Sequence, residues 1–377
     1  MTNTANRSDA LPTVHLFNPA NDEALASNNR WYTPSRHALQ YQHDCELLPI
    51  WWANDGDFII APHHSDEEIA QTAYKANIHV TRYQPGFAAL PSPWGWSNDA
   101  KRQFEDAGVP DASLPSDEHI AIIRMLSHRK LAIDVNKALT SITGQSAPNH
   151  PRLCSDIERL QVHGGEHQLL KRPWSCSGRG VFPVSTLADA ELQRLAGGII
   201  RRQGSVIIED ALDKIMDFSC LFLSDRNQIS HQAWSLFHTT SDGRYLGSVI
   251  AEQNNIMNEL HDAHMSYGNN TGVNFHLLQQ HIMTVLWSLI GTDYNGWIGV
   301  DMLAYRNSID HDIYLAPCIE VNLRMTMGVV ATLLTRKLSL QSSRYLLQTM
   351  APNMTHPNGA IVLAGNPQSF SVILAPT

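Results

Sequence analysis

The chain has 377 residues, a length that suggests two or three packed units rather than one core. Hydrophobic residues make up 43% of it and charged residues 17%, which is typical of a folded globular protein and excludes disorder as a description of most of the chain. The 36 acidic residues outnumber the 27 basic ones, and a net charge of -9 without a long basic run argues against a nucleic-acid surface.

The sequence indicates neither export nor membrane insertion. Residues 1–12 are polar and lack the basic and then apolar layout of a secretory signal, and no apolar stretch reaches the length of a membrane span. The cysteines are scattered, odd in number and never in a CxxC pair: Cys45, Cys154, Cys176, Cys220 and Cys318. Such usage is typical of reduced thiols in the cytosol, so we expect a cytoplasmic protein whose partners are neither membranes nor nucleic acids.

The first 117 residues predict a small N-terminal α/β domain. Residues 14–17 form a short apolar strand, the turn from Asn18 to Asp22 is rich in helix-capping side chains, and a helix follows. Further apolar runs at residues 47–52 and 58–61 are consistent with such a domain.

A second unit is predicted over residues 118–208. It begins with a helix at residues 120–139, whose apolar residues recur at helical spacing and which stops near Gly144, where a left-handed cap would be needed. Three strands and a polar helix before the last strand are then predicted, at residues 169–171, 181–184, 205–209 and 187–195. A loop of Ser and Gly residues, 175–180, joins the first two strands.

A third unit is predicted over residues 209–350, and residues 351–377 are interpreted as a C-terminal tail. Turn-forming residues separate the apolar runs between residues 218 and 251, which predicts an antiparallel meander. A helix with one apolar face, two strands and a second helix follow, at residues 275–289, 298–305, 313–322 and 329–338.

The last two predicted strands carry three oxygen-bearing side chains that can converge. Glu320 and Asn322 are two residues apart in one strand and therefore point from the same face. The polar turn at residues 306–312 would fold the preceding strand back, so that Asp301 lies opposite them. Because magnesium prefers hard oxygen ligands, these residues are candidate magnesium ligands, and the alternative is that they are solvated strand residues. Pro317 predicts an edge strand or a bulge just before them.

A candidate polyphosphate site is centred on Lys171. This residue ends a predicted strand and is followed by the Ser/Gly loop, which offers backbone N–H groups and could close as a lid. Alone, a glycine-containing hairpin after a lysine is more often structural than functional. An adenine-binding connector is predicted at residues 207–212, where Glu209 follows an apolar strand.

The order of these motifs resembles that of the ATP-grasp superfamily of carboxylate–amine ligases, over residues 127–328. The resemblance implies an α/β (α+β) fold class, with an ATP-grasp fold of two α+β subdomains preceded by the small N-terminal domain. It also implies ATP and Mg²⁺ as cofactors. Because the segment from Arg324 to Gly328 differs from the D-alanine ligase and biotin carboxylase endings, the substrate is not inherited from those enzymes.

The same resemblance implies which residues contact the nucleotide. Lys130 would be the first phosphate-contacting lysine, with Arg129 or Lys137 as alternatives. A second lysine, the lid, the adenine hinge and an apolar floor under the base would supply the other contacts: Lys171, Ser177, Gly178, Gly180, Glu209, Leu212 and Leu303.

It further implies that Asp301, Glu320 and Asn322 bind magnesium and that Arg324, together with Lys171, stabilises the transferred phosphate as a catalytic residue. The N-terminal domain of such enzymes usually helps bind the acceptor. Candidate contacts there, whose alternative roles are helix capping or solvation at the surface, are Asn18, Asn21, Asp22 and Arg36.

The function implied is an ATP- and magnesium-dependent ligase that activates a carboxylate as an acyl-phosphate for attack by an amine, a thiol or another nucleophile. Its partners would be small-molecule carboxylate and amine substrates, including amino acids or peptides, and a homodimer is a further option. Two alternatives remain open: an ATP-grasp kinase that phosphorylates a small-molecule hydroxyl, and a non-catalytic ATP-binding regulatory protein.

Two histidine patterns are given no function. Residues 163–167 have the HxxEH spacing of a zinc peptidase family, but the paired glycines Gly164 and Gly165 would cost a helix about 2 kcal/mol. His63 and His64 have no partner at ligand spacing in the sequence, and an exposed pair is the simpler interpretation.

Overall fold

Three sheets organise the chain, which a computed structural model describes at residues 11–175, 178–240, 243–268, 272–338 and 345–377. The first is a four-stranded parallel sheet in the order β3-β2-β1-β4. It belongs to an N-terminal unit whose strands and helices are β1 (Thr13–Leu16), α1 (Asn21–Ser27), α2 (Arg36–Asp44), β2 (Phe58–Ile60), α3 (Asp66–Lys75), β3 (Thr81–Arg82), β4 (Leu90–Pro93) and α4 (Asn98–Asp106). The predicted N-terminal α/β architecture is therefore confirmed.

The single helix predicted at residues 120–139 is wrong, because the chain forms two helices, α5 (Asp117–Leu126) and α6 (Lys130–Thr143). The break has a physical cause at residues 127–129. The backbone N–H of Arg129 donates to the carbonyl of Pro173 (3.1 Å) rather than to a carbonyl of α5. The Nδ1 atom of His128 accepts from the Lys130 N–H (2.9 Å), which caps the start of α6. Gly144 ends α6 with a positive φ of 73°, as predicted.

The second sheet is antiparallel and has four strands in the order β5-β8-β6-β7. One helix, α7, packs its apolar residues against this sheet. The elements are β5 (Arg152–Cys154), β6 (Gln168–Lys171), β7 (Val181–Pro183), α7 (Asp189–Gln203) and β8 (Val206–Asp210). Residues 163–167 form a turn that leads into β6, so the helix that a zinc peptidase motif would need is absent from this described stretch.

The third sheet has eight strands in the order β13-β12-β9-β10-β11-β14-β16-β15, and all its pairings are antiparallel. Its elements are β9 (Asp213–Asp225), β10 (Ile229–Thr239), β11 (Tyr245–Ile250), α8 (Gln253–Asp262), α9 (Phe275–Ile290), β12 (Asn295–Arg306), β13 (Ile313–Asn322), α10 (Met327–Leu338), β14 (Tyr345–Met350), β15 (Ile361–Gly365) and β16 (Ser371–Pro376). The predicted meander and the predicted hairpin of two strands are confirmed.

The two faces of this large sheet pack against different elements. Phe218, Cys220 and Phe222 of β9 point into a core shared with α6 and α9. Leu221, which lies between them in the strand, points the other way, into a core shared with α10 and the N-terminal unit. Because side chains alternate along a strand, polar residues in register with Leu221 face the N-terminal unit. That face carries the candidate site.

The segment beyond residue 351 is integrated into the fold, because β15 and β16 pair with the large sheet beside β14. The division of the chain at residues 117, 208 and 350 stays a prediction. None of the helices in the described ranges is long and apolar enough to span a membrane.

Candidate functional site

The β12–β13 hairpin places the three predicted oxygen ligands together. Asp301 pairs directly with Glu320 across the two strands, and Asn322 pairs with Gly299 two positions away. The Nδ2 atom of Asn322 donates to Oδ2 of Asp301 (3.0 Å). Ser219 of β9, which sequence reasoning missed, donates from Oγ to Oδ1 of Asp301 (2.5 Å). The two carboxylates and the amide therefore converge as the spacing predicted.

Both structural consequences predicted from Pro317 are confirmed. β13 is an edge strand of the large sheet, and its register with β12 shifts between the pairs Asp301–Glu320 and Leu303–Ala316. The extra residues of this bulge lie on β13, and Pro317 is among them. The bulge ends at the residue before Glu320, so it sets the direction from which that carboxylate enters the site.

The electrostatic environments of the two carboxyl groups differ. Burial and the adjacent charge of Glu320 raise the pKa of Asp301 to about 7. Burial opposes ionisation of Glu320 too, but the positive charges of Arg129, Lys171 and Arg324 outweigh it and lower its pKa. Near neutral pH Asp301 is therefore only partly ionised, and a divalent cation bound beside it would favour its ionised form.

Arg129, rather than Lys130, points into this site. Its Nη2 atom donates to Oε1 of Glu320 (2.8 Å), and its Nη1 atom donates to the Arg172 carbonyl (2.7 Å) and to Oγ of Ser175 (2.8 Å). The Nε atom is buried and has no hydrogen-bond partner among the described residues. This leaves a donor for a further acceptor, such as a phosphate oxygen or a water molecule.

Lys130 lies on the outer side of α6. Its ammonium group pairs with Asp134 (2.5 Å), one turn further along the helix, and its side chain is 54% exposed. Of the residues predicted for the first phosphate contact, the structure brings Arg129 to the candidate site and leaves Lys130 outside it, because the helix begins at Lys130 and the break before it turns Arg129 inward. Lys137, the other alternative, is exposed on α6.

Lys171 and Glu209 form a buried ion pair on the second sheet, with side-chain exposures of 6% and 5%. They lie on adjacent strands, where Leu169 pairs with Glu209 and Lys171 pairs with Ile207, so both side chains share one face. Glu209 also accepts from Nδ2 of Asn149 (3.1 Å), a residue that no local sequence signal identified. The Oδ1 atom of Asn149 is buried and has no partner within the described ranges.

The two apolar residues that were predicted to contact the base lie in different parts of the fold. Leu212 is half-buried in the short link between β8 and β9. Leu303 is half-buried on β12, on the same face as Asp301. The lid loop is described on either side of residues 176–177, so Ser177 lies outside the described residues.

Two lid glycines occupy places that a side chain could not. Gly178 has a positive φ of 75°, and a Cβ atom there would lie 2.4 Å from the Gly243 carbonyl oxygen. A Cβ atom on Gly180 would lie 2.0 Å from Oγ of Ser175. The lid therefore packs closely against its own base and against the β10–β11 connection.

Arg324 is bound to the N-terminal unit. Its Nη2 and Nε atoms donate to Oδ2 of Asp22, at 2.8 and 3.0 Å, and both side chains are 13% exposed. Asn18 and Asn21 are nearly fully buried, and Asn18 donates to the Gly95 carbonyl (2.8 Å), which supports structural roles for both. Arg36 is exposed at the start of α2.

A small polar recess shows how the three units meet. Its lining comes from the N-terminal unit, the α5–α6 break, the base of the lid and β13, and includes Asp22, Ser127, Ser175, Glu320, Asn322 and Arg324. The cations Arg129, Lys171 and Arg324 all act on Glu320 within this region. The arrangement can neutralise several negative charges held between the second and third sheets.

No protein-family model matches the chain, and no curated protein matches it. Among solved structures, the chain is similar to the biotin carboxylase domain dimer of 2-oxoglutarate carboxylase from Hydrogenobacter thermophilus, in complex with MgADP, ADP and bicarbonate. The TM-score is 0.51 at 11% sequence identity, over 97% of this chain and 86% of the other.

Two further structures show weaker similarity. The biotin carboxylase–β,γ-ATP complex from Campylobacter jejuni has a TM-score of 0.49 at 10% identity, over 99% of this chain and 89% of the other. Phosphoribosylamine–glycine ligase from Thermotoga maritima has a TM-score of 0.45 at 10% identity, over 97% of this chain and 92% of the other.

Proposed function

The chain has the ATP-grasp fold, and from this premise we propose that it is an ATP- and magnesium-dependent ligase that activates a carboxylate as an acyl-phosphate. One observation carries the proposal. Asp301 and Glu320 face each other across two strands, and the charges of Arg129, Lys171 and Arg324 all act on Glu320. Two adjacent carboxylates within reach of three cations fit a metal–polyphosphate complex better than they fit a structural ion pair.

We assign the magnesium site to Asp301, Glu320 and Asn322. The raised pKa of Asp301 supports this, since burial and Glu320 disfavour its ionised form until a cation is bound. One Glu320 oxygen accepts from Arg129, which leaves the other for the metal. Bound magnesium would neutralise the charge of the phosphate oxygens and leave the transferred group more electrophilic.

The nucleotide would lie between the second and third sheets. The phosphates would be contacted by Lys171 and by the donor atoms of Ser177, Gly178 and Gly180. Because the Nε atom of Arg129 is buried and has no partner among the described residues, we give Arg129 the phosphate contact predicted for Lys130. Glu209 and Leu212 would line the adenine hinge, and Leu303 would lie under the base. The buried, unpartnered Oδ1 atom of Asn149 beside Glu209 is a further acceptor for an amino group of the base or for water.

The reaction would then take place in two steps. An oxygen of the substrate carboxylate attacks the γ-phosphorus, and the bond to the β–γ bridging oxygen breaks, so that ADP leaves. An amine or thiol then attacks the acyl carbon, inorganic phosphate leaves, and the nucleophile loses its proton. Arg324 and Lys171 would stabilise charge on the transferred group, and catalysis would rest on positioning and electrostatics rather than on a protein nucleophile.

The substrates we propose are a small-molecule carboxylate and an amine, including amino acids or peptides.

The described cysteines, Cys45, Cys154, Cys220 and Cys318, are free thiols, which supports a reducing cytoplasmic setting. Homodimer formation stays a prediction that sedimentation or light scattering can test.

The direct test is release of inorganic phosphate from MgATP against a panel of carboxylic acids combined with amines and thiols. We expect phosphate release that needs both an acid and a nucleophile and that forms an amide or thioester. Asp301→Asn should abolish it, whereas Asp262→Asn, at an exposed site on α8, should not. A product that retains phosphate on a hydroxyl would establish the kinase alternative, and binding of MgATP without turnover on any panel member would favour the regulatory one.

A further inference from the structure

A cluster of two histidines and a glutamate lies in the N-terminal unit, outside the candidate ATP site. His43 lies near the end of α2, Glu46 follows shortly after it, and His63 lies between β2 and α3. One ligating atom from each of the three lies within 4.8 Å of the others. The structure thus supplies the partners that the sequence alone did not reveal for His63.

Glu46 is the most deeply buried member of the cluster. The residue is 2% exposed, and the hydrogen bonds it accepts in the described part of the chain come from the backbone N–H (3.1 Å) and Nδ1 (2.7 Å) of His63. No lysine or arginine of the described residues forms an ion pair with it. Its ion-pair partner is the His63 imidazole, which is a cation only when it is protonated. Because a buried carboxylate without a permanent cationic partner is costly, this position favours a bound metal cation.

The two imidazoles lie side by side, so rotation of one ring can bring a nitrogen of each ring to the same ion. Their rings are stacked, with centroids 3.4 Å apart and an interplanar angle of 19°. In a tetrahedral site with ligand bonds of about 2.0–2.2 Å, ligand atoms lie about 3.3–3.5 Å apart. Because an imidazole nitrogen binds a metal in the plane of its ring, one of the two stacked rings has to rotate about its side-chain bonds to form the site.

We propose that His43, Glu46 and His63 form a binding site for a divalent transition metal, with Zn²⁺ as the preferred ion. Two imidazole nitrogens and one carboxylate oxygen are a common zinc donor set, and they leave a fourth position for water. Magnesium prefers an all-oxygen site and would bind at the strands that carry Asp301 instead.

The surroundings of the cluster allow an ion to enter. His43 and His63 line a cavity of about 600 Å³, which Leu363 of β15 and Asn366 border on the other side. A bound ion would connect the end of α2 with the segment between β2 and α3. We therefore expect it to stabilise the N-terminal unit, because an ion that binds only the folded state shifts the unfolding equilibrium.

The test uses the full-length chain, treated with a chelator and then titrated with ZnCl₂ and, separately, with CoCl₂. We expect one tightly bound equivalent of either ion, a visible Co²⁺ absorption of low-symmetry, four-coordinate type, and a rise in Tm with Zn²⁺. His43→Gln and His63→Gln should lose the tight equivalent and the rise in Tm. His79→Gln, at an exposed histidine outside the cluster, should retain both.

If the His63→Gln variant folds poorly, the His43→Gln variant still tests the proposal. The His43 side chain makes no hydrogen bond among the described residues, so this substitution removes only its ring stacking on His63. Absence of a tight equivalent in the unmodified protein would overturn the proposal. So would retention of that equivalent in a folded His43→Gln variant, because the ion would then be bound by other histidines.

Discussion

Asn136 of α6 donates a hydrogen bond from Nδ2 to the Cys318 carbonyl oxygen (2.8 Å), within the bulge of β13. The same helix begins next to Arg129, which contacts Glu320 at the end of that bulge. One helix therefore holds both the backbone that directs Glu320 and the cation that pairs with it.

Replacing Asn136 by Ala should leave the Cys318 carbonyl buried without this donor. We expect a loss of about 1–3 kcal/mol in the free energy of unfolding, together with weaker magnesium-dependent nucleotide binding. Chemical denaturation and a fluorescence titration would measure the two effects. Asn258→Ala, at an exposed position of α8, should change stability by less than about 0.5 kcal/mol; equal losses in both variants would rule out a specific role for Asn136.

Replacing a proposed metal ligand should weaken magnesium-dependent nucleotide binding and leave the fold unchanged. For Asp301→Asn we expect magnesium affinity to fall by at least about 100-fold, because even groups that only orient a ligand cost 10–100-fold. The readout is the rise in Tm caused by MgATP, which should be largely lost while the circular dichroism spectrum is unchanged. An undiminished rise would remove Asp301 from the metal site.

The raised pKa of Asp301 predicts how the metal-free protein responds to pH. Its carboxyl titrates near 7 in the folded state and near its ordinary 3.8 in the unfolded chain, so between these values the folded state holds the additional proton. Stability from this group is therefore present at low pH and is lost as pH rises from about 4 to about 7. In EDTA, Asp301→Asn should increase Tm more at pH 8 than at pH 5. If the variant and the unmodified protein differ in Tm by the same amount at both pH values, the pKa of Asp301 is not raised.

Protons should also compete with magnesium at this site. With a pKa of about 7, the ionised fraction of Asp301 falls on the order of 30-fold between pH 8 and pH 5.5, and magnesium affinity should fall with it. Isothermal titration calorimetry in buffers of different ionisation enthalpy would detect the released proton. Affinity that is constant across this range would show that Asp301 is already ionised without the metal.

Arg129 and its neighbour Lys130 offer a matched pair of substitutions. Arg129→Lys keeps the positive charge near Glu320 but loses the fork that reaches the Arg172 carbonyl and Ser175. We expect ATP affinity to fall about tenfold or more, within the 1.5–3 kcal/mol of a hydrogen bond to a charged group. Lys130→Met should leave ATP affinity within about twofold, since exposed ion pairs contribute little; the reverse pattern would restore Lys130 to the site.

The Asp22–Arg324 ion pair should couple the N-terminal unit to the face of the large sheet that carries the candidate site. A double-mutant cycle with Asp22→Asn and Arg324→Met should give a coupling free energy of unfolding of about 1–3 kcal/mol, because both groups are largely buried. The pair of exposed Asp66 with half-buried Arg82 provides the control cycle, for which we expect less than about 1 kcal/mol because the carboxylate is solvated. Similar coupling in the two cycles would argue that the Asp22 contact is an ordinary surface ion pair.

Local periodicity was sufficient to predict the hairpin that carries Asp301 and Glu320. Side chains two residues apart share a face of a strand, a turn-rich segment returns the chain, and proline marks an edge or a bulge; all three features are present in the sequence and in the fold. Helix boundaries were harder to predict. The break at residues 127–129 depends on the Pro173 carbonyl, which lies more than 40 residues away in the chain.

The sequence by itself determined the strand pairing of the candidate metal site, the lysine at the end of β6, and the α/β character of the N-terminal unit, because each depends on residues close together in the chain. Only the tertiary structure decided that Arg129 points inward instead of Lys130, because the break before α6 is held by the Pro173 carbonyl, which comes from a distant part of the chain. Tertiary packing also brought His43 and Glu46 to His63, and Asn149 to Glu209. Such contacts depend on how separate elements dock, and no spacing within one element encodes them.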